Sequence, residues 1–313
     1  MKTYSQKDLR RLDWFGAKRI VAKALSARPI NSVVHAFAKA VLPTAVATRI
    51  PLARARVAYR LASGDQVYLL DSLADIIARD IYWGGGKPTS MAERRKLLAI
   101  ELLSRHAATF LDIGAYSSVC ALIAARSNPD LAAQSYEIVP ENYILSVRNV
   151  LENNMVRRVV PKLLGLGRVE GSIQLPVSMN VASHMTSISL GSAFSEGVEI
   201  PVGTLDGEAA NVQGPCIVKL DVEGYELDVL QGGAAFVASR RPDIVCEILP
   251  GFAAAQDIEA MLAPLGYRFF VFTEAACERR EHINPDSVGR DWLFSARPDT
   301  DRTLAEVEEM AGR

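Results

Sequence analysis

The feature that most constrains this chain is a regular alternation of short apolar strands and amphipathic helices between residues 110 and 296. Four of the strand segments run out into a carboxylate: Phe110-Leu111 lead to Asp112, Gln134 to Tyr136 lead to Glu137, Ile217 to Leu220 lead to Asp221, and Ile244 to Cys246 lead to Glu247. Strands alternating with helices predict a mostly parallel sheet covered on both faces, joined by right-handed crossovers. Segments at 110–113, 134–139, 158–164, 217–220, 243–248, 268–272 and 292–296 make seven strands. Helices are expected at 117–127, 140–153, 226–239 and 255–265. In such a sheet ligands sit beyond the carboxyl ends of the strands, where strand order reverses. Carboxylates at those ends would sooner be in water, so their placement needs a reason.

Ahead of this core the spacing is helical but interrupted. Residues 8–25 set Leu9, Leu12, Phe15, Ile20 and Val21 among basic side chains, and Pro29, Pro43 and Pro51 then cut the chain. A strand is expected at 67–70 and a helix at 73–83, ended by Gly84-Gly85-Gly86. A further helix at 90–105 opens with Ser90 and Glu93 in capping-box spacing. Residues 171–202 break the rhythm and read as a hairpin or inserted flap that contains His184. These readings divide the chain into a helical N-terminal extension or cap (1–88), the α/β domain (89–298) and a charged tail (299–313) expected to fray.

Charge is unevenly distributed. The 313 residues carry 35 Lys/Arg and 36 Asp/Glu, but residues 1–60 hold 13 basic and 2 acidic side chains, leaving 22 and 34 for the rest. This asymmetry fits either a basic cap docked on an acidic domain, or contact with a protein or a membrane surface through residues 1–60. No nucleic-acid partner is expected, because the basic residues lie outside the expected active face. Neither a signal peptide nor a membrane span is read in the sequence, and a cytoplasmic location is expected. Cys120, Cys216, Cys246 and Cys277 show no CxxC spacing, and the four histidines form no HExxH. No metal site is therefore expected, although an Asp221/Glu223 pair suits a hard cation such as magnesium.

The strand exits carry the chemistry. Asp112-Ile-Gly-Ala-Tyr-Ser-Ser places Gly114 at a turn where backbone approaches a ligand; a plain tight turn would look the same. Glu137 follows Gly114 by 23 residues, where an acid accepts the two ribose hydroxyls of an adenosine. That spacing suits a nicotinamide dinucleotide and S-adenosylmethionine alike. The turn separates them. A pyrophosphate is usually cradled by GxGxxG, but Tyr116 and Val119 occupy the later glycine positions, so a ligand without phosphates fits better.

Val218-Lys-Leu-Asp-Val-Glu-Gly-Tyr-Glu-Leu-Asp-Val-Leu-Gln-Gly resembles the fourth-strand K-I-D-V-E-G-x-E…V-L-x-G of FkbM-type methyltransferases. Tyr136-Glu-Ile-Val-Pro-Glu-Asn-Tyr, Val202-Gly-Thr-Leu-Asp, Pro242-Asp-Ile-Val-Cys-Glu-Ile and Gly266-Tyr resemble the family's other motifs in order, over residues 80–297. The resemblance implies a Rossmann-like methyltransferase domain and S-adenosylmethionine as cofactor. It implies in-line methyl transfer to a hydroxyl of a sugar, glycan, polyketide or small metabolite. Carried onto this chain, it points to Asp112, Gly114, Ala115, Tyr116, Ser117, Glu137, Asn142 and Asp221 around the cofactor, with Asp221 and Glu223 as catalytic candidates. Asp221 is read either as a base or as partner of the cofactor's amino group, Glu223 either as a base or as a cap on the helix at Glu226. Lys219 is expected to pair with a neighbouring carboxylate. Glu247 is either a substrate contact or a buried acid held by hydrogen bonds. The family turn reads D-x-G-A-N-x-G; here Tyr116 replaces the Asn and Ser118 the second Gly, which puts full activity in question. A dinucleotide oxidoreductase and a non-catalytic binding protein of the same fold are the competing readings.

Overall fold

A computed structural model describes residues 2–3, 24–25, 27–42, 50, 54–72, 75–175, 192–193, 197–210, 212, 214–250, 254–286 and 289–312. Most of the helix read at 8–25, and His184 with residues 176–191 of the flap, lie outside the described residues. In chain order the main elements are α1 (Arg28–Val41), β1 (Arg56–Arg60), β2 (Gln66–Leu70), α2 (Ile76–Trp83), α3 (Met91–Ser104), β3 (Thr109–Ile113), α4 (Val119–Ser127), β4 (Ala132–Glu137) and α5 (Pro140–Glu152). Then come β5 (Val159–Leu163), β6 (Gly165–Gly167), β7 (Gly171–Leu175), β8 (Val198–Thr204), α6 (Leu205–Glu208), β9 (Cys216–Leu220), α7 (Glu226–Gly232), α8 (Ala234–Arg240), β10 (Asp243–Glu247), α9 (Ala254–Leu262), β11 (Arg268–Phe272), β12 (Cys277–Arg280), β13 (Asp291–Ser295) and α10 (Thr300–Ala311).

The central sheet runs β12-β11-β13-β10-β9-β3-β4-β5. Its inner pairs are parallel, from β10 through β9, β3 and β4 to β5, while β13 is antiparallel to both neighbours. All seven expected strands are present; Cys277–Arg280 adds an eighth at the edge, antiparallel to β11. The chain builds β3, β4 and β5 outward in one direction, then returns to lay β9 and β10 on the other side of β3. The switch point therefore lies between β3 and β9, beneath Gly114 and Asp221.

Every residue of β3 and of β9 is buried, as a strand covered on both faces requires. Alternate residues feed two cores. Phe110, Ile217 and Leu293 join one; Leu111, Val218 and Phe294 join the other. At β6–β8, the expected hairpin is a small three-stranded sheet with Ile173 opposite Ile200.

The expected boundary at residue 88 is not a boundary in packing. Val57, Tyr59, Val67 and Leu69 of the β1–β2 hairpin are buried in the same core as Leu97, Ile100 and Leu103 of α3. The free edge of β2 is closed by two asparagines of α5: Asn149 accepts from Leu70 N at 2.8 Å, and Asn153 accepts from Tyr68 N at 2.8 Å and donates to Tyr68 O at 2.7 Å. Such pairing satisfies an edge that would otherwise invite another strand.

The tail expected to fray is instead the helix α10. Leu304 and Val307 are buried, and Glu308 takes Arg95 Nε at 2.8 Å and Nη2 at 3.0 Å. Arg95, 5% exposed, also donates to the carbonyls of Thr273, Glu274 and Ala275. Its high charge concealed a two-residue apolar stripe and a partner for a buried guanidinium.

Candidate functional site

The site is built where two turns meet. Beyond β3, Gly114 adopts φ +70°, and a Cβ there would lie 1.8 Å from the backbone oxygen of Asp221. Only glycine allows the first and fourth strand exits to touch in this way. The turn is then held by its own amides. Gly114 N and Ala115 N donate to Tyr136 O at 3.0 and 2.9 Å, Tyr116 N donates to Glu137 Oε2 at 2.8 Å, and Ser118 N donates to Ala115 O at 2.7 Å. Tyr116 (φ +50°) and Ser118 (φ +59°) both lie in the left-handed region. Asn and Gly enter that region most easily, so the two departures from the motif fall on the positions that most need those residues. The Tyr116 hydroxyl accepts from Ile76 N at 3.3 Å, tying the turn to the start of α2.

Lys219 stands at the centre. Its ammonium donates to Gly114 O at 2.6 Å and lies 3.7 Å from Asp112 Oδ1 and 3.5 Å from Asp221 Oδ2. The carbonyl bond and the two charges keep a buried lysine ionised. Asp112 is fully buried beneath the turn and accepts from Ala121 N at 3.1 Å. Burial pushes its carboxyl up to about 6 despite Lys219. Burial would also raise Asp221, but Lys219 and Lys96 overcome it and hold that carboxyl below its ordinary value.

After Asp221 the chain turns through Glu223 (φ +57°) and Gly224 (φ +99°). Glu226 secures this turn, accepting from Val222 N and Gly224 N, each at 3.1 Å. Glu226 thus braces the turn that leads into α7, and among the described residues no side chain caps the first turn of that helix. Burial, and then the charges of Asp221 and Glu226, raise the Glu223 carboxyl to about 7. Glu247, at the end of β10, hydrogen-bonds Asp221; burial and that neighbouring charge bring it to about 8. Glu137 spends one oxygen on Tyr116 N and the other on Val139 N at 2.8 Å. Burial outweighs these bonds and raises its carboxyl to about 7.

These groups surround a cleft of about 500 Å³. Of the sequence-predicted residues, Gly114, Tyr116, Glu137, Asn142, Asp221 and Glu223 line it, as does Glu247. Asp112, Ala115 and Ser117 are buried and do not line it; Asp112 instead supports the turn through Lys219. Sequence reasoning missed the far wall. Ile76, Ile77 and Asp80 of α2 border the cleft, with Glu93 and Lys96 of α3 and with Arg290 and Asp291 at the start of β13. Lys96 lies 2.7 Å from Glu93 and 2.9 Å from Asp291, while Arg290 lies 3.5 Å from Glu247. No signal in the sequence marked Glu93 and Lys96, since α3 carries five charged residues among fourteen and reads as a helix with a solvated face. Among the described residues, no cluster of three or more His, Cys, Asp or Glu side chains could hold a metal ion.

With this geometry in place, comparison settles the family. Residues 112–269 match the model of the methyltransferase FkbM domain, half of the chain. The chain belongs to the FkbM methyltransferase family. None of the curated proteins matches it. Among solved structures, this FkbM-family chain is similar to methyltransferase FkbM from Methylobacillus flagellatus KT, at 18% identity and TM-score 0.41, covering 60% of this chain and 43% of that one. It is also similar to an O-methyltransferase from Bacillus cereus in complex with SAH, at 10% identity and TM-score 0.37, covering 64% and 79%. A third similar structure is the O-methyltransferase TomG from Streptomyces achromogenes, involved in tomaymycin synthesis and in complex with SAM, at 12% identity and TM-score 0.39, covering 64% and 78%. This FkbM-family chain thus spans under half the length of the Methylobacillus protein.

Proposed function

We propose that the cleft binds S-adenosylmethionine and that the protein methylates a hydroxyl oxygen on a sugar, glycan or small metabolite. The observation that carries this reading is the state of the turn amides. Those of Gly114, Ala115, Tyr116 and Ser118 are all engaged within the turn or with β4, so they are not available to receive a pyrophosphate. Asp221, held ionised by Lys219 at the lip of the cleft, also suits a ligand that brings a positive charge there. Both facts favour a sulfonium nucleoside over a dinucleotide.

In this reading Glu137 and Asn142 receive the ribose end. Each Glu137 oxygen keeps a lone pair beyond its amide bond. Asp221, held ionised by Lys219, pairs with the ligand's amino group. The bound cofactor supplies an electrophilic methyl group. Glu223 borders the cleft with a carboxyl near 7, matched to accepting a proton from an acceptor hydroxyl as the new oxygen–carbon bond forms. The cleft walls hold the two reactants in line, and much of the rate comes from that positioning.

The reading is tested by heating the protein with each ligand. S-adenosylmethionine raises the melting temperature and NAD does not. A shift with NAD alone, or with neither, sinks the proposal. Incubation with methyl-labelled S-adenosylmethionine and fractionated glycans, lipids and metabolites then identifies the acceptor class; label in no fraction, despite cofactor binding, counts against these acceptors.

A further inference from the structure

Helix α1 has two apolar faces, and the domain uses one. Asn31 and Ala38 are buried, and Val34 and Leu42 pack toward Trp83. The His35 ring sits 4.7 Å from Tyr82 and 4.8 Å from Trp83, while Asn31 accepts from the Tyr82 hydroxyl at 2.9 Å. The second face is a stripe at spacings of three, four and four residues. Ile30, Val33, Phe37 and Val41 are 46%, 69%, 63% and 60% exposed. On a helix these positions fall within one arc of about 100°.

The sequence around α1 is cationic. From Trp14 to Gly64 the sequence has nine Lys and Arg and no Asp or Glu. Lys39 and Arg54 act directly on α1: burial lowers the His35 imidazole, and those two charges lower it further. Of the described cations in this stretch, Arg56 is paired with Glu152.

We propose that α1 seats the protein on an anionic lipid surface, with Ile30, Val33, Phe37 and Val41 entering the headgroup–acyl boundary and the surrounding Lys and Arg meeting lipid phosphates. An exposed apolar stripe within a basic field is what interfacial helices present. A second copy of the chain is a poorer occupant, since it would bring the same cations against these. Nucleic acid would use the cations but not the apolar stripe. The remainder of the chain, after residue 60, carries 34 acidic against 22 basic side chains, so repulsion turns it away from the same surface. α1 rests on α2, whose first turn borders the cleft.

The test is co-sedimentation with vesicles of phosphatidylcholine alone and of phosphatidylcholine mixed with phosphatidylglycerol. The protein pellets with the mixed vesicles only, and less so in raised salt. Phe37→Glu and Val33→Glu each lower the vesicle partition coefficient at least about tenfold, the factor that burial of one large apolar side chain carries, with no change in melting temperature. Binding to neither vesicle, equal binding to both, or binding unaffected by the two substitutions overturns the proposal. So does a Phe37→Glu protein that melts well below the parent, because the stripe would then be covered within the chain. A parent that elutes as a dimer split by Phe37→Glu, without vesicle binding, assigns the stripe to a second copy instead.

Discussion

Replacing Lys219 by methionine keeps the side chain's length and removes its charge, leaving Asp112 and Asp221 without the cation between them. At separations of 3.7 and 3.5 Å each attraction is about 4–5 kcal/mol for an effective dielectric constant of about 20. Losing the lysine also removes its desolvation cost, so the net loss is smaller, about 3–5 kcal/mol, as for other buried pairs broken on one side. This loss depends on pH in a defined direction. Asp112 already titrates near 6 in the folded protein, against about 3.9 unfolded. A raised folded value favours the fold at low pH, and that contribution is lost as pH rises through the folded value. Without Lys219 the Asp112 value rises further, and Asp221 loses the larger of the two lysine charges that held it down. The variant is therefore destabilised more at pH 8 than at pH 5.5, where Asp112 is already largely protonated in the parent. The difference is about 1–3 kcal/mol, from about 1.4 kcal/mol per unit of pKa. Urea unfolding of both proteins at the two pH values measures it directly. An equal penalty at both, or a larger one at pH 5.5, would refute the charge-sandwich account of the turn.

Gly114→Ala must relieve a contact of 1.8 Å with the Asp221 carbonyl and hold alanine at φ +70°; it should cost about 2–4 kcal/mol in chemical unfolding and weaken S-adenosylmethionine binding, and a variant that binds normally disproves the close approach. With Glu223 near 7 and active when ionised, kcat/KM rises with pH through about 7. Glu223→Gln should lose about 10²–10⁴ in rate together with that limb, whereas a variant with the limb intact shows that another group is the base. Deleting residues 299–313 strips Arg95 of Glu308 and uncovers the seat of Leu304 and Val307. Unfolding in urea should then come earlier by about 3–5 kcal/mol, and an unchanged midpoint would mean that α10 contributes nothing to the fold.

Much of the sheet was legible because parallel strands buried on both faces leave continuous apolar runs such as Cys216-Ile-Val and Ile244-Val-Cys, and because each exit residue closely follows its run. The near wall of the cleft was legible for the same reason. The far wall was not. Glu93 and Lys96 read as ordinary surface positions of a capped helix, and only packing against Asp291, almost 200 residues later, shows that they face inward. The role of Glu226 was hidden because an acid in the first turn of a helix has several uses, and local spacing does not choose among them. Charge misled at α10, where Leu304 and Val307 are few among acids but sufficient beside Arg95.

The bond from Lys219 to Gly114 joins residues 105 positions apart. Until β9 has paired with β3, the half of the cleft that carries Gly114 and Glu137 has no Asp221 or Glu223 opposite it. During synthesis the chain must therefore pass residue 224 and insert a strand at the middle of the sheet before any ligand site exists, and such distant pairings are the slow ones. Ligand binding should then report completion of the sheet, and a nascent chain halted after β5 should be blind to the cofactor however well its first three strands have formed.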